Sequence, residues 1–293
     1  MESLPGDASK ALIIVFLLST MTSIGIEVTR QEIIEEASNK SLFIRALFAN
    51  FILVPLLGLG IARILPMPMN IETGFLLLAA APGALFAINF TRRSQDSVPF
   101  AAALLFVLTV LSVVVTPFLA QLLLNIDQPV TPHYDKAIRA LFLYVLLPLL
   151  AGLALNRWAN PMALRLRKPL SACAAVSFVL VMVLTMGLKS AATKQIGTNG
   201  LLAMILLIAA SMVVGWMLGG PERGTRRVLT VNTSMRNVAL ALAIASRSFP
   251  GADVDVGVVV FSALMVPPNL LFTIYQSRRA KKLGALTPSA TAR

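Results

Sequence analysis

The sequence contains very little cysteine, histidine and charge for its length. One of the 293 residues is cysteine, Cys173, and one is histidine, His133. A lone cysteine excludes a disulfide within one chain and any CxxC metal or redox site. His133 has no second histidine or nearby cysteine to join it in a ligand set, so the sequence argues against a metal centre.

The scarcity of charge defines the class of protein. Charged residues make up 13% of the chain and hydrophobic residues 57%, whereas a soluble domain has about 25% charged residues. At roughly 20 apolar residues per span, the chain accommodates about nine or ten membrane helices. No room is left for a separate catalytic or nucleic-acid-binding domain. We therefore predict an all-α, polytopic membrane protein that is not an enzyme and carries no cofactor.

Nine apolar segments are each long enough to span a bilayer. Between the first two, Thr29 to Lys40 mixes apolar and acidic residues in a pattern that favours a short helix lying along the membrane interface. The nine segments cover residues 8–28, 42–65, 71–92, 98–124, 138–156, 169–188, 199–219, 227–246 and 255–276.

Basic residues predict the orientation of these spans. The formal net charge is +12, and of the 25 Lys and Arg, 17 lie at the connections after odd-numbered spans and in the C-terminal tail, against 7 on the other side. The positive-inside rule makes the richer side cytoplasmic. We predict an outside N-terminus, a basic cytoplasmic tail at 278–293 after a single membrane domain at 1–277, and location in the plasma (inner) membrane. The basic residues thus orient the chain in lipid, and nucleic acid is not a predicted partner.

Arg236 is missing from that count because it lies near the middle of the eighth span. A central membrane arginine costs about 2.5–3.5 kcal/mol on insertion scales, so such residues face a bundle interior or a water-filled cavity. One interpretation is a structural arginine that pairs with backbone carbonyls. The favoured interpretation is a role in handling a ligand or ion.

The third span is interrupted by Pro82 and Gly83, which remove a helix donor and loosen the following turn. The third span is thus broken and the eighth is polar. If spans 1–4 and 5–9 form two halves, each of these two is the second-last span of its half. Two five-helix repeats, the first lacking its first helix, account for this placement and for nine spans. Repeats with an odd number of helices insert with opposite orientation, an arrangement found in many secondary transporters.

Motifs along residues 8–276 resemble the bile acid:sodium symporter family. They are a glycine-ended first span, Asn50 to Pro55, Ala81-Pro82-Gly83, Thr116-Pro117 and Met235-x-Asn237. The resemblance implies a core domain of spans 2–4 and 7–9 that moves against a panel of spans 1, 5 and 6. It also implies two discontinuous helices that cross in the core, and organic anions as substrates.

The family's sodium-site residues are only partly matched. After Pro-Gly the family has Ser-Asn where this chain has Ala87 and Ile88, with Asn89 one step late, and two hydroxyl positions fall on Ala101 and Leu105. The family's Glu-x-x-Met-Gln-Asn is matched by Asn232 to Asn237, with Arg236 in place of glutamine. The candidate substrate- and ion-binding residues are Asn50, Pro82, Gly83, Asn89, Thr91, Asn232, Thr233, Ser234, Arg236 and Asn237.

These departures argue against sodium coupling in the family's manner, because a guanidinium carries only donors and a fixed positive charge. The leading hypothesis is a secondary transporter of a small organic anion in which Arg236 replaces the sodium ion. One alternative is a sodium symporter with shifted ligands that include Asn89, Thr91, Asn232 and Thr233. From other classes, a non-transporting receptor or structural protein and a membrane-embedded enzyme remain open.

Overall fold

The computed structural model describes residues 3–94, 96–124 and 139–286. His133 and the last seven residues of the predicted tail lie outside these ranges. The described residues form helices and no strand. The α-helices are α1 Ser3–Ile26, α2 Arg30–Ala37, α3 Lys40–Phe48, α4 Val54–Ile64, α5 Met69–Ala80, α6 Leu85–Ser94, α7 Val98–Leu124, α8 Leu147–Trp158, α9 Asn160–Leu188, α10 Ser190–Lys194, α11 Gly197–Leu218, α12 Arg223–Ser234, α13 Val238–Ser248 and α14 Val254–Leu286.

Six helical segments in the described ranges are long and apolar enough to cross a membrane, or seven if the bent pair Ala11–Ile26 and Arg30–Ala37 is one span. Met69–Ala80 and Val238–Ser248 are shorter apolar helices. They belong to the third and eighth predicted segments, each of which folds as two short helices joined at a break. The all-α membrane fold is confirmed, and the count of nine spans stays a prediction.

Two prolines create the π-helical turns of the bundle. Ala49–Leu53 precedes Val54-Pro55, and Phe142–Leu146 precedes Leu147-Pro148. Because proline has no N–H and its ring crowds the carbonyl of the preceding turn, the helix widens there rather than closing its usual hydrogen bond. The first π-helical turn contains Asn50.

Glycines bring helices into backbone contact within two groups. A Cβ added to Gly25 on α1 would lie 2.1 Å from Leu149 O on α8, and one on Gly152 would lie 2.3 Å from Thr22 O. Helix α9 packs against both α1 and α8. We call α1, α8 and α9 the first helix group.

In the other helices, a Cβ on Gly74 of α5 would lie 2.6 Å from Val254 O of α14. Helices α4, α11 and α12 pack in sequence, and α13 contacts both α5 and α14. We call α3 to α7 with α11 to α14 the second helix group. Small residues permit such close approach between membrane helices.

Helix boundaries confirm that a short helix follows α1, and two other helices extend beyond the predicted spans. Thr29 caps α2 in a reciprocal arrangement with Glu32, which is why this short amphipathic segment starts there. Helix α9 begins at Asn160 rather than near 169, so its basic residues lie in its first turns. Helix α14 continues past Ser277 to Leu286, because the intervening Arg, Lys, Ala and Leu favour helix, and 278 is therefore not a helix boundary.

Candidate functional site

The two broken spans cross and pair with each other. Pro82 and Arg236 form an isolated antiparallel bridge, and Asn237 N donates to Ala81 O at 2.8 Å. Gly83 follows with a φ of +93°, a conformation that glycine adopts without steric cost. The breaks therefore satisfy part of each other's backbone hydrogen bonding in the interior of the protein.

Hydroxyl groups of α7 satisfy the carbonyls that the third-span break leaves open. Thr116 Oγ1 donates to Ala80 O at 2.8 Å. Ser112 Oγ donates to Leu108 O of its own helix at 2.7 Å and makes a longer contact, 3.4 Å, with Pro82 O. Both side chains are fully buried and face the break from one side of the helix. Most of α7 is apolar, and these two hydroxyls are the groups through which it contacts the carbonyls at the end of α5.

The guanidinium of Arg236 lies at the crossing, 1% exposed. Its Nε donates to Leu78 O at 2.9 Å, and one terminal nitrogen donates to Asn50 Oδ1 at 3.0 Å and to Thr233 O at 3.3 Å. The other terminal nitrogen donates to Asn50 O at 3.4 Å and to Ala79 O. An arginine has five N–H donors, and all five are used.

The positions of these acceptors follow from helix ends. Leu78 O and Ala79 O belong to the last turn of α5, and Thr233 O belongs to the last turn of α12. Final carbonyls of a helix lack internal partners and carry partial negative charge, which favours a cation. Asn50 contributes a further backbone carbonyl from the π-helical turn. Two half-helices and a widened turn thus form an oxygen cage around one positive charge.

Neighbouring candidate residues support this cage. Asn50 Nδ2 donates to Thr233 Oγ1 at 3.3 Å, which orients the amide oxygen toward Arg236. Ser234 Oγ donates to Asn269 Oδ1 on α14 at 2.7 Å. Asn237 Oδ1 accepts from Leu240 N at 3.0 Å and caps α13.

Asn89 and Thr91 lie away from the cage on α6. The Asn89 side chain is exposed and accepts a long hydrogen bond, 3.5 Å, from Arg92. The buried Thr91 hydroxyl donates to Ala87 O within its own helix at 3.0 Å. The structure thus brings eight of the ten candidates to the crossing, and these two lie one to two turns beyond the break.

Two amide atoms beside the cage have no hydrogen-bond partner in the described part of the chain: Asn232 Oδ1 and Asn237 Nδ2. Asn232 is 0% exposed and Asn237 is 2% exposed. Buried polar atoms normally have partners. One buried acceptor and one buried donor thus stay unpaired in the described part of the chain, close in sequence to the fixed positive charge of Arg236.

Four further residues contact the breaks and are not among the predicted site residues, although Thr116 belongs to one of the motifs. Asn269 and Met265 contact the eighth-span break from α14, Met265 Sδ accepting from Arg236 N at 3.4 Å. Ser112 and Thr116 contact the third-span break from α7. The spacing of hydroxyls along one face of α7 is a signal that could have identified this pair, and Asn269 follows two prolines inside an apolar span.

Among the described residues, no group of three or more His, Cys, Asp and Glu side chains could hold a metal ion.

Comparison with known proteins relates the chain to a group of membrane transporters. Residues 6–276 match the model of the SBF-like CPA transporter family. The "Uncharacterized sodium-dependent transporter YocS" of Bacillus subtilis is 23% identical over 285 residues, 95% of this chain and 87% of that protein. The "Probable sodium/metabolite cotransporter BASS5, chloroplastic" of Arabidopsis thaliana is 25% identical over 279 residues, 88% of this chain and 67% of that protein.

Proposed function

This chain belongs to the SBF-like CPA transporter family, and on that premise we propose that it is a secondary transporter of a small organic anion in which the guanidinium of Arg236 takes the place of a sodium ion. The observation that carries the proposal is the buried oxygen cage, whose five acceptors bind all five donors of one cationic side chain. The protein acts by moving its substrate across the bilayer and not as an enzyme.

The cage has the ligands that a hard cation takes. Carbonyl and amide oxygens bind such ions, and here they surround a side chain that already carries the charge. A sodium ion about 5 Å from that charge would be repelled by about 3 kcal/mol at an effective dielectric of 20. Arg236 forms no ion pair in the described part of the chain, so its charge is available to attract an anion.

The substrate's hydrogen bonds come from other groups, because Arg236 has no free donor. We expect its carboxylate to bind near the starts of α6 and α13, which both begin at the crossing and expose positive helix ends toward it. Asn237 Nδ2 is the unpaired donor at this place. Arg236 therefore acts through its electrostatic field rather than as a direct ligand.

The two helix groups supply the moving parts. We assign the first helix group as the panel and the second as the core, so that the cage moves with the core while the substrate passes between them. This assignment is supported by the glycine contacts, which hold helices together within each group. No glycine that the structure describes on α1 or α9 makes such a contact across the boundary between the groups, which we call the seam.

A sodium symporter with shifted ligands is the second candidate. It is favoured by the free, buried Asn232 Oδ1 and by relatives whose names describe sodium-dependent transport. Thr233 and backbone carbonyls would complete such a site.

Uptake of organic carboxylates into proteoliposomes, with sodium or choline outside, tests these candidates. For wild type we expect equal rates in the two salts. Arg236→Gln should lose at least about tenfold in choline, because a unit charge within about 12 Å contributes 1.4 kcal/mol at a dielectric of 20, and should regain part of the rate in sodium. Arg93→Gln, at an exposed position on α6, is the control. Strong sodium dependence in wild type would favour the second candidate.

A further inference from the structure

An ion-pair cluster joins the two helix groups at the end of α1. Glu27, whose side chain is 3% exposed, accepts from Arg167 Nε of α9 at 2.9 Å and pairs with Arg92 at the end of α6. Glu27 and Arg167 belong to the first helix group, whereas Arg92 belongs to the second. We call Glu27, Arg92 and Arg167 the Glu27 cluster.

A second cluster joins the same groups at the other end of α9. Lys189 Nζ lies 2.7 and 2.9 Å from the two carboxylate oxygens of Asp255, and 2.9 Å from Asp253 Oδ1. Lys189 follows α9 directly, and the two aspartates lie at the start of α14. We call these three residues the Lys189 cluster.

The clusters lie at opposite membrane faces. Arg167 and Lys189 are separated along α9 by a distance of about 33 Å, at 1.5 Å per helical residue, and the hydrocarbon core of a bilayer is about 30 Å thick. Each cluster therefore joins the panel to the core at one end of the seam. The seam cannot open toward either face while the cluster at that face is closed.

Each cluster can separate without leaving a buried charge alone. When Arg92 leaves, Glu27 keeps Arg167, which lies in its own helix group. When the aspartates leave, Lys189 remains at the C-terminus of α9, where the helix dipole favours a cation. Burial alone would lower the pKa of Lys189, but hydrogen bonds to Asp255 and Asp253 outweigh it and raise that pKa above its ordinary value, so Lys189 is charged at neutral pH.

We propose that the two clusters are alternating latches, of which one must open before substrate can enter or leave at its face. The proposal rests on the proposed function only in requiring that panel and core move against each other. Arg92 is the moving partner of one latch, and Asp253 and Asp255 are those of the other. Breaking one latch shifts the protein toward opening at that face and away from opening at the opposite face.

Two cysteine reporters test this reciprocity. In a Cys173→Ser background, Ser23→Cys lies one turn before Glu27 and Thr185→Cys one turn before Lys189, and both positions are buried. A membrane-impermeant thiol reagent is added from the face nearer each reporter, in right-side-out and inverted vesicles. Arg92→Gln should raise the labelling rate of Ser23→Cys and lower that of Thr185→Cys by about two- to fivefold, the range of partly exposed ion pairs. Lys189→Gln should do the reverse.

Arg227→Gln is a matched control, because Arg227 pairs with Asp96 inside the second helix group and should leave both reporters unchanged. Arg92→Lys should restore most of the wild-type pattern. Labelling that rises at both reporters in Arg92→Gln, or equal effects of Arg92→Gln and Arg227→Gln, would overturn the proposal. Because labelling needs neither substrate nor sodium, this outcome is independent of the uptake experiment.

Discussion

Arg236 connects segments that are far apart in the sequence through a single buried group. Its acceptors belong to Asn50, to the end of α5 and to Thr233. Desolvating a guanidinium is costly, and the loss is offset only when the charge is fully hydrogen-bonded. The planar fork of arginine can meet five acceptors at once. Arg236 is therefore a structural link at the crossing, and in the proposed function it is also the charge that attracts the anion.

Replacing Arg236 by lysine should separate charge from geometry. An ammonium has three donors, so at least two of the five acceptors lose their partner, at about 1–3 kcal/mol each when buried. We expect Arg236→Lys to unfold at a clearly lower temperature in detergent while it retains sodium-independent uptake. Arg93→Lys, at an exposed position, should unfold like wild type. A thermal midpoint unchanged in Arg236→Lys would contradict the cage.

The breaks in the third and eighth spans depend on support from other elements. Helix α7 satisfies the carbonyls at the third-span break through Ser112 and Thr116, and α14 supports the eighth-span break through Asn269. Such support is needed because an open helix end inside a bilayer leaves polar groups without water. With Asn50 of the second span, five predicted spans thus build the crossing.

Gly83 should be the least replaceable glycine of this crossing. Gly83→Ala places a Cβ at a φ of +93° and 3.2 Å from Thr109 Oγ1, and the left-handed conformation alone costs about 1–2 kcal/mol. We expect a lower thermal midpoint and slower uptake. Gly187→Ala, where a Cβ meets nothing within 4 Å, should be neutral or slightly stabilising. Equal midpoints for the two variants would show that the break tolerates a side chain.

Sequence patterns predict both helix breaks but not the residues of other helices that contact them. Pro82 and Gly83 mark the first break by their backbone chemistry, and Arg236 marks the second by its cost in a membrane. The contact of Ser234 with Asn269 joins residues of different helices, which local periodicity cannot predict. Asn89 is predicted from the family motif although it lies one step late in it, and on α6 its side chain contacts Arg92 instead of the cage.

At the scale of the whole molecule, the basic residues predict that the termini lie on opposite sides of the membrane. The asymmetry of 17 to 7 Lys and Arg is the basis of this prediction, since positive charges near span ends are retained in the cytoplasm. Tags at the two ends should differ in protease access in intact cells, and both should be cleaved after permeabilisation. Access to both tags in intact cells would require an even number of crossings.

A cation that is covalently part of the protein returns to its starting side in every cycle. If no ion accompanies the substrate, each cycle moves only the charge of the anion, and the membrane potential performs work on it. At 100 mV, inside negative, this work is about 2.3 kcal/mol per charge, equivalent to a concentration ratio of about 50-fold. The anion is then driven outward, and the protein works as an exporter in a polarised cell. Anion flux through proteoliposomes should follow a potential set with potassium and valinomycin, and a flux indifferent to that potential would show that a compensating ion travels too.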